Sequence, residues 1–188
     1  MLTSLRSARI NSNAYFCTRR LRLRLLKLAD ATEIARLLEN DSEAVQMSAS
    51  MTDPMNESAA GDWIDRRTGP DQHVFAILLA SSGEFIGSIG LGGLRETPYM
   101  GYWIGRSHWN QGYATEAVQC VVEYARWLGI SSLHADTFPT NPASARVLAK
   151  AGFANTGRVQ INLPLRGGLR ELERHVIQLS SSAAGGSR

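Results

Sequence analysis

Alternating and helical hydrophobic patterns follow one another in the first part of the chain. Leucines at positions 21, 23 and 25 alternate with Arg22 and Arg24, which predicts a half-buried strand with a solvated arginine face. Asp30 is then predicted to cap a helix, with Glu33 completing a capping box. The apolar stripe of this helix is predicted at Ile34, Leu37 and Leu38, and its end at Asn40 and Asp41.

The next segment, residues 41–61, has no clear hydrophobic period. It carries three methionines, Met47, Met51 and Met55, among polar residues typical of a loop. One interpretation is a mobile segment on the substrate side of a site, because functional residues often lie on loops. The other is a loosely packed surface. A second short helix is predicted over residues 59–67.

Three strands and a long helix are predicted in the middle of the chain. Residues 73–80 and 84–91 flank a Ser-Ser-Gly turn typical of a hairpin, and residues 99–105 form the third strand. From Ala114 the apolar positions recur every three or four residues, which indicates a helix. Gly129 is a natural stop just past that stripe.

A further strand, a helix and two last strands complete the pattern. Residues 131–138 follow the long helix, so a parallel β-α-β crossover is predicted. Asn141 before Pro142 is typical of a helix N-cap followed by a first-turn proline, and Gly152 is typical of a helix end. Residues 153–158 and 169–179 are predicted as two antiparallel strands. This order predicts an α/β domain with a mixed sheet.

Residues 110–115 lie where the third strand of the middle region passes into the long helix. The first turn of a helix has unpaired backbone N–H groups and the positive end of the helix dipole. Gly112 lets a ligand approach the backbone, Ala114 leaves the approach uncrowded, and Thr115 adds a hydroxyl donor. This arrangement suits a phosphate or pyrophosphate, although a glycine that only turns the chain explains it equally. Neither a P-loop nor a G-x-G-x-x-G fingerprint occurs.

Composition narrows the classes of function. Twenty basic and seventeen acidic residues give a net charge of +3, too mild for a protein that coats nucleic acid. No apolar run approaches the roughly 18 residues needed to cross a bilayer. Cys17 and Cys120 match no metal or redox motif, and the four histidines are scattered, so no metal site is predicted. The expected location is the reducing cytoplasm.

The two ends of the chain differ from the middle. The first 29 residues contain seven basic and no acidic side chains. We interpret residues 1–17 as a flexible basic leader, with a transit peptide or a start codon placed too early as alternatives. Residues 180–188 are rich in serine, alanine and glycine and predict a flexible tail. A single domain is therefore expected over residues 18–179.

Three pieces of the chain resemble motifs of the GNAT superfamily of acyl-CoA-dependent N-acetyltransferases. They are residues 101–105 with 109–117, residues 141–148 and residues 150–153. The likeness is greatest to the RimJ/RimL-like branch, which includes ribosomal-protein N-terminal acetyltransferases. Residues 18–24 also look like the first strand of the family. Trp109 departs from the superfamily pattern, which often has Gln or Arg at this position.

The resemblance implies a mixed, mostly antiparallel central sheet in which strands 99–105 and 131–138 form a splayed parallel pair. It implies acetyl-CoA as co-substrate and no metal. The pyrophosphate would bind the N–H groups of residues 111–115, and the pantetheine arm would pair with the backbone of residues 103–105. Asn141 would hydrogen-bond the pantetheine amide besides capping its helix. The cofactor-binding residues expected on this basis are Trp103, Ile104, Gly105, Arg106, Gln111, Gly112, Tyr113, Ala114, Thr115, Asn141 and Ser144.

The resemblance also implies direct attack of a primary amine on the thioester in a ternary complex. The expected catalytic residues are Ser144, similar to the proton donor for the leaving thiolate, and Asn141. A backbone N–H near Ile104 would polarise the thioester carbonyl. The proton of the amine would leave through water or through one of four candidate bases, Glu96, Tyr102, His134 and Asp136. Arg106 and Arg146 are candidates for the nucleotide 3′-phosphate, with ordinary surface charge as the alternative for each.

The acceptor amine stays open at this stage. A protein N-terminal α-amine is the first hypothesis and needs an open groove, whereas a small amine such as an amino acid, polyamine or drug needs a closed pocket. A non-catalytic acyl-CoA-binding regulatory domain is the alternative from another class. We predict no nucleic-acid or membrane partner, and a homodimer is a further hypothesis from the resemblance.

Overall fold

An eight-stranded sheet forms the centre of the protein in a computed structural model that describes residues 15–179. The strands in chain order are β1 (Tyr15–Cys17), β2 (Leu21–Leu25), β3 (His73–Leu79), β4 (Phe85–Gly92), β5 (Tyr99–Ile104), β6 (Ser132–Thr137), β7 (Ala154–Leu163) and β8 (Gly168–Gln178). Across the sheet they lie in the order β1-β2-β3-β4-β5-β6-β8-β7. The described residues also form five helices, α1 (Ala31–Leu38), α2 (Ser42–Gln46), α3 (Glu57–Asp65), α4 (Tyr113–Trp127) and α5 (Pro142–Lys150).

The parallel pair β5–β6 interrupts an otherwise antiparallel sheet. The crossover between these two strands is α4, as the sequence predicts. The strands are in register only at Tyr99 and His134, near the start of each strand. Beyond that point they no longer pair, so a gap opens between their carboxyl ends. The predicted splayed pair in a mixed, mostly antiparallel sheet is confirmed.

Two hydrophobic clusters cover the two faces of the sheet, because successive side chains of a strand point to opposite faces. In β3, Phe75 and Ile77 belong to the cluster that contains the apolar stripe of α4. Ala76 between them belongs to the cluster that contains α1 and α3. We call these the α4 face and the α1 face.

The sheet begins earlier than the sequence indicates. The predicted flexible leader extends to residue 17, but Tyr15–Cys17 pairs with β2 as an antiparallel strand. Phe16 is buried against Phe75 and Tyr124, with ring centroids 5.3 and 4.8 Å away. This apolar contact explains why the strand forms in spite of its basic neighbourhood. The rest of the predicted leader, and the predicted tail at residues 180–188, lie outside the described residues.

Asp30 does not form the predicted capping box. Its carboxylate accepts hydrogen bonds from the guanidinium of Arg24 at 2.6 and 2.8 Å and from the backbone N–H of Lys27 at 2.8 Å. No side-chain bond caps α1 itself. A charged donor outcompetes a helix N–H here, because charge-assisted hydrogen bonds are the stronger kind. Arg24 is consequently part of an ion pair, while Arg22 is solvated as predicted.

The methionine-bearing segment is neither loop throughout nor loosely packed. Asp41 does not end the first helix, which stops at Leu38. Instead its carboxylate accepts from the N–H of Ala44 and caps the short helix α2. Met51 and Met55 are 1% and 0% exposed in the α1-face cluster. The loose-surface interpretation is therefore wrong for these two residues. Flexible thioether side chains fill irregular core space without a sequence period, which is why the pattern concealed them.

The last two strands form a longer hairpin than predicted. The first was expected to end at Arg158, but β7 continues to Leu163 and pairs with β8 as far as Gly168. The added part alternates polar and apolar residues on a sheet edge, so its signal was weak. A 3-10 turn, Pro164–Arg166, connects the strands. No helix among the described residues has the length and apolarity needed to cross a membrane.

Candidate functional site

The turn before α4 has the backbone geometry that an anion site requires. Gly112 adopts a left-handed conformation with φ 81°, and α4 starts at Tyr113, one residue earlier than the stripe suggests. Asn110 is also left-handed, with φ 59°. Within residues 15–179 no side chain caps the first turn of α4, so its leading N–H groups are available to a ligand. Gln111 and Gly112 are exposed, and the turn lies at the carboxyl end of β5, where the gap opens.

Arg20 lies against this turn, and the sequence did not identify it as a site residue. Its guanidinium donates to the carbonyl of Gln111 at 2.9 Å and to Glu116 at 2.7 Å. It also stacks over the ring of Tyr113, 4.6 Å from the centroid. A Cβ atom on Gly112 would stand 3.3 Å from this guanidinium. Residues 18–24 resembled the family's first strand, but nothing local indicates a contact with a turn 91 residues away.

Glu116 ties the start of the sheet to the first turn of α4. Its carboxylate accepts from the hydroxyl of Thr18 at 2.5 Å and from the backbone N–H of Arg20 at 2.8 Å. Burial alone would raise the pKa of Glu116, but the hydrogen bonds from Thr18 and Arg20 outweigh it and lower the pKa. The group is thus a carboxylate at neutral pH. Its structural role is more specific than the favourable dipole contact expected from sequence.

The end of β5 presents backbone groups to the gap. Gly105 donates to the carbonyl of Ile86 at 2.8 Å, so the facing pair Ile104 and Gly87 is a non-hydrogen-bonded pair of the antiparallel ladder. The N–H and carbonyl of Ile104 therefore point away from β4. The carbonyl accepts from the indole of Trp109 at 2.6 Å. The N–H of Ile104 faces the side on which β6 has splayed away.

The next residues fix the position of this strand end. A Cβ atom on Gly105 would stand 3.0 Å from the Leu37 side chain, so a larger residue would require Leu37 to shift. Trp103 packs against the α1-face cluster, and its indole N–H is buried without a hydrogen-bond partner among the described residues. Arg106 donates to Asp41 twice at 2.7 Å and to Glu43 at 2.8 Å.

Arg106 therefore joins the carboxyl end of β5 to the start of α2. Its guanidinium also stacks on Trp109, 4.6 Å from the ring centroid. The hydrogen bond from Arg106 lowers the pKa of Asp41 in spite of burial, which acts in the opposite direction. Contact of Arg106 with a 3′-phosphate stays a prediction, and its observed partners are carboxylates. Arg146 is exposed on α5.

Tyr102 and Ser144 meet across the gap. The phenol oxygen of Tyr102 lies 2.8 Å from Oγ of Ser144 and 3.2 Å from its carbonyl oxygen. Burial raises the pKa of Tyr102 to about 12, although its hydrogen bond with Ser144 acts against it. The phenol therefore stays protonated at neutral pH, so Tyr102 is unsuited to the role of general base. It is instead a permanent hydrogen-bond donor beside Ser144.

Asn141 caps α5 as the sequence predicts. Its Oδ1 accepts from the backbone N–H of Ser144 at 3.1 Å. The amide NH₂ group has no hydrogen-bond partner among the described residues and can donate to a ligand. Capping uses only the Oδ1 of Asn141, so it fixes the orientation of the NH₂ donor without occupying it. It also fixes the backbone of Ser144, whose side chain carries the hydroxyl.

Two of the other candidate bases, His134 and Asp136, lie on the face of β6 opposite to the α4-face cluster. His134 and Asp136 lie 4.0 Å apart, and Asp136 accepts two hydrogen bonds from Arg174 at 2.8 and 2.9 Å. Burial lowers the pKa of His134; the charge of Asp136 raises it by a smaller amount, and the charge of Arg174 lowers it further. The imidazole is therefore neutral at neutral pH. Glu96 lines a cavity of about 550 Å³ together with His134 and Arg174.

A second cavity, of about 560 Å³, lies between the methionine-bearing segment and the β7–β8 hairpin. We call it the hairpin groove; its lining residues are Gln46, Thr52, Asp53, Phe138, Leu165, Arg166 and Arg170. Arg166 holds the two walls together by donating to the carbonyls of Val45 at 2.6 Å, Met51 at 2.9 Å and Gln46 at 3.2 Å. Sequence reasoning did not find this groove, because its walls are more than 100 residues apart.

Two further observations limit the chemistry. Among the described residues, no group of three His, Cys, Asp or Glu side chains is arranged to hold a metal ion. Cys120 is buried in the α4-face cluster, and burial raises the pKa of its thiol to about 12. It is therefore a thiol and not a thiolate nucleophile at neutral pH.

Comparisons with known proteins agree with this geometry. The Acetyltransferase (GNAT) domain family matches residues 20–154. A Bacillus subtilis (strain 168) protein named "Probable N-acetyltransferase YjcK" is 33% identical over 111 residues, which are 56% of this chain and 61% of that protein.

Solved structures share the fold. A GNAT-family acetyltransferase from Bacillus anthracis superimposes with a TM-score of 0.75 at 20% identity, covering 88% of this chain and 98% of that one. Mycobacterium smegmatis RimJ, in complex with CoA-disulfide, gives a TM-score of 0.74 at 22% identity, covering 84% and 81%.

Proposed function

Because the chain belongs to the Acetyltransferase (GNAT) domain family, we propose that it transfers the acetyl group of acetyl-CoA to the α-amine of a peptide or protein chain. The observation that carries this proposal is the pairing of two features at one end of the sheet. The uncapped turn at Gly112 can bind an anion, and the β5–β6 gap beside it is crossed by Tyr102 and Ser144.

The residues around the turn fit the nucleotide part of acetyl-CoA. The N–H groups of residues 111–115 would bind the pyrophosphate, assisted by the positive end of the α4 dipole. Arg20 adds a cation at the same place, although Glu116 partly neutralises it. The backbone of residues 103–105 would pair with the pantetheine arm, since Ile104 directs its N–H away from β4. RimJ, whose solved structure holds CoA-disulfide, has the same fold.

The chemistry of the gap suits a thioester. Acetyl-CoA supplies the acetyl group and leaves as a thiol, so its sulfur must gain a proton. Ser144 can stabilise the leaving sulfur by a hydrogen bond, and Tyr102 can donate to Ser144 Oγ at the same time. The proton that the sulfur gains balances the one that the attacking amine loses, and water would carry it between them. The free NH₂ of Asn141 would bind a pantetheine carbonyl, and the N–H of Ile104 would stabilise the developing oxyanion. Cys120 is a buried thiol and is not available as a covalent intermediate.

The acceptor would enter on the α1 face. His134, Asp136 and Phe138 alternate along β6 with residues of the α4-face cluster, so they belong to the opposite face. Phe138 also lines the hairpin groove, which places that groove beside the carboxyl end of β6. The groove is open, because Asp53, Leu165 and Arg170 in its wall are exposed. An open groove admits the end of a chain, whereas a small amine needs enclosure.

The proton of the attacking amine needs an acceptor. The high pKa of Tyr102 leaves three of the four candidate side chains and water. Of these three, His134 is half-buried, uncharged at neutral pH and on the α1 face. An α-amine has a pKa near 8, so a substantial fraction is already unprotonated and needs little help.

The proposal is tested by incubating the protein with acetyl-CoA and a peptide that has a free N-terminus. We expect thiol release that matches peptide acetylation measured by mass spectrometry. A second peptide with a blocked N-terminus and a free lysine serves as the control and should not react. Acetylation of small amines alone would contradict the choice of acceptor. Binding of acetyl-CoA without thiol release for any amine would indicate a regulatory domain.

A further inference from the structure

The hairpin groove contains charges that the proposed reaction does not use. Its lining includes three ionisable side chains, Asp53, Arg166 and Arg170, which together carry one excess positive charge. The groove lies on the side from which the acceptor amine would approach, so these charges meet the part of the acceptor next to its reacting end. This inference rests on the proposed function and concerns the chemistry of the acceptor.

The guanidinium of Arg166 already forms hydrogen bonds within the protein. Its guanidinium donates to three carbonyls of the opposite wall and to its own neighbour Leu165. Burial lowers its pKa, which the nearby Asp53 partly offsets, but a guanidinium stays charged at any physiological pH. Arg166 therefore contributes positive potential to the groove while four of its five N–H donors are occupied.

Arg170 is available to a ligand. Among the described residues its guanidinium has no carboxylate partner, and it donates only to the carbonyl of Leu169 at 3.1 Å. It folds over Gly167, where a Cβ atom would stand 2.9 Å from it. Arg174, four residues along the same strand face, is held in a two-bond ion pair with Asp136. Of these two arginines, only Arg170 has no carboxylate partner among the described residues.

Asp53 does not neutralise the positive charge of Arg170. Its carboxylate accepts from the hydroxyl of Ser42 at 2.9 Å, and no arginine lies within ion-pair distance of it in the part of the chain that the structure describes. Leu165 and Phe138 add apolar surface to the same groove. A ligand that complements these walls carries an anionic group next to apolar atoms.

We propose that the acceptor is a peptide N-terminus followed closely by an acidic side chain, and that Arg170 binds this carboxylate. A guanidinium and a carboxylate form two parallel charge-assisted hydrogen bonds, which discriminate strongly against a cation at the same place. Arg170 is then a residue that sets specificity without contacting the reacting atoms.

The test compares two peptides of equal length that have the same N-terminal residue and differ by aspartate or lysine at the next two positions. Glutamate and lysine amide are added as small amines. We expect kcat/KM to favour the acidic peptide by about tenfold or more. Arg170→Glu should remove or reverse that preference. Arg66→Glu, the same charge change on an exposed residue away from the groove, should retain it.

The outcomes separate this inference from the proposed function. Failure of acetyl-CoA to stabilise the protein against heat would remove the proposed function itself. Stabilisation by acetyl-CoA together with equal rates for the two peptides, with reaction of the lysine peptide but not of the acidic one, or with an unchanged preference in Arg170→Glu overturns the acidic-acceptor inference alone. Reaction of glutamate but of neither peptide overturns both this inference and the peptide acceptor of the proposed function, since the anionic acceptor would then be a small molecule.

Discussion

The hydroxyl of Tyr102 on β5 lies 2.8 Å from the hydroxyl of Ser144 in the first turn of α5. This contact crosses the gap in which β5 and β6 have ceased to pair. Since the phenol has a pKa of about 12, Tyr102 keeps its proton and can donate it in a hydrogen bond to Ser144. The Ser144 proton is then free to bond with a leaving sulfur.

This arrangement predicts that Tyr102 and Ser144 act as a unit. Ser144→Ala should lower kcat by about 100-fold, and Tyr102→Phe by about tenfold, because general acid assistance contributes on that scale. KM for acetyl-CoA should change little in either variant. The double variant should be no slower than Ser144→Ala, because Tyr102 acts through Ser144. Independent losses that multiply in the double variant would contradict the relay.

The conformation of Gly112 predicts that one substitution lowers both the stability of the protein and its binding of acetyl-CoA. A control substitution can separate the two effects. Gly112→Ala should destabilise the protein by about 1 kcal/mol, because φ 81° is unfavourable for a residue with a side chain. It should also weaken acetyl-CoA binding, since the new methyl group intrudes on the turn beside Arg20.

Gly129→Ala is the matched control at the other end of α4. It has φ 79° and nothing within 4 Å of a Cβ position. We expect the same loss of stability in urea unfolding but unchanged stabilisation by acetyl-CoA. Equal loss of acetyl-CoA binding in both variants would show that only global stability was affected.

Arg166 predicts a selective effect on the acceptor. Arg166→Ala should leave the carbonyls of Val45 and Met51 without their donor and destabilise the protein by about 2 kcal/mol. KM for the peptide should rise, while thermal stabilisation by acetyl-CoA persists. Arg166→Lys retains the charge but not the fork of donors, and should show a smaller rise in KM and a smaller loss of stability. A rise in KM for acetyl-CoA in Arg166→Lys would contradict this assignment.

Glu116 predicts a pH-dependent contribution to folding. Its pKa is lowered in the folded protein from an ordinary value near 4.5. Its stabilising effect is therefore complete above that value and is lost as pH falls through the lowered pKa. The difference in the free energy of unfolding between the native protein and Glu116→Gln should be largest at neutral pH and should shrink below about pH 4.5. A difference independent of pH would mean that the carboxylate contributes no charge.

The parts of the site that the sequence predicts are those encoded locally. A glycine before an apolar helical stripe indicates the turn at Gly112, and an Asn-Pro pair indicates the cap at Asn141. Arg20 and Arg166 were missed because their partners lie 91 residues or more away in sequence. No periodicity announces such contacts, which depend on how the strands are ordered in the sheet.

The wrong predictions of local structure have the same cause, namely side-chain contacts that only the assembled fold creates. Asp30 has a capping position in sequence, but Arg24 on the preceding strand takes its carboxylate. Met51 and Met55 have polar neighbours and no period, yet tertiary packing buries both. Local signals predicted the order of nearly all elements, whereas side-chain partners were decided by the assembled sheet.

The central claim, that acetyl-CoA binds through its pyrophosphate at the turn before α4, is tested most directly by thermal unfolding. The transition temperature is measured alone, with saturating acetyl-CoA, and with S-acetyl-pantetheine, which lacks the nucleotide half. A ligand that binds only the folded state must raise this temperature. We predict a clear rise with acetyl-CoA that is lost for S-acetyl-pantetheine and is reduced for acetyl-CoA with Gly112→Ala. No rise with acetyl-CoA, or an equal rise with both ligands, would contradict the account.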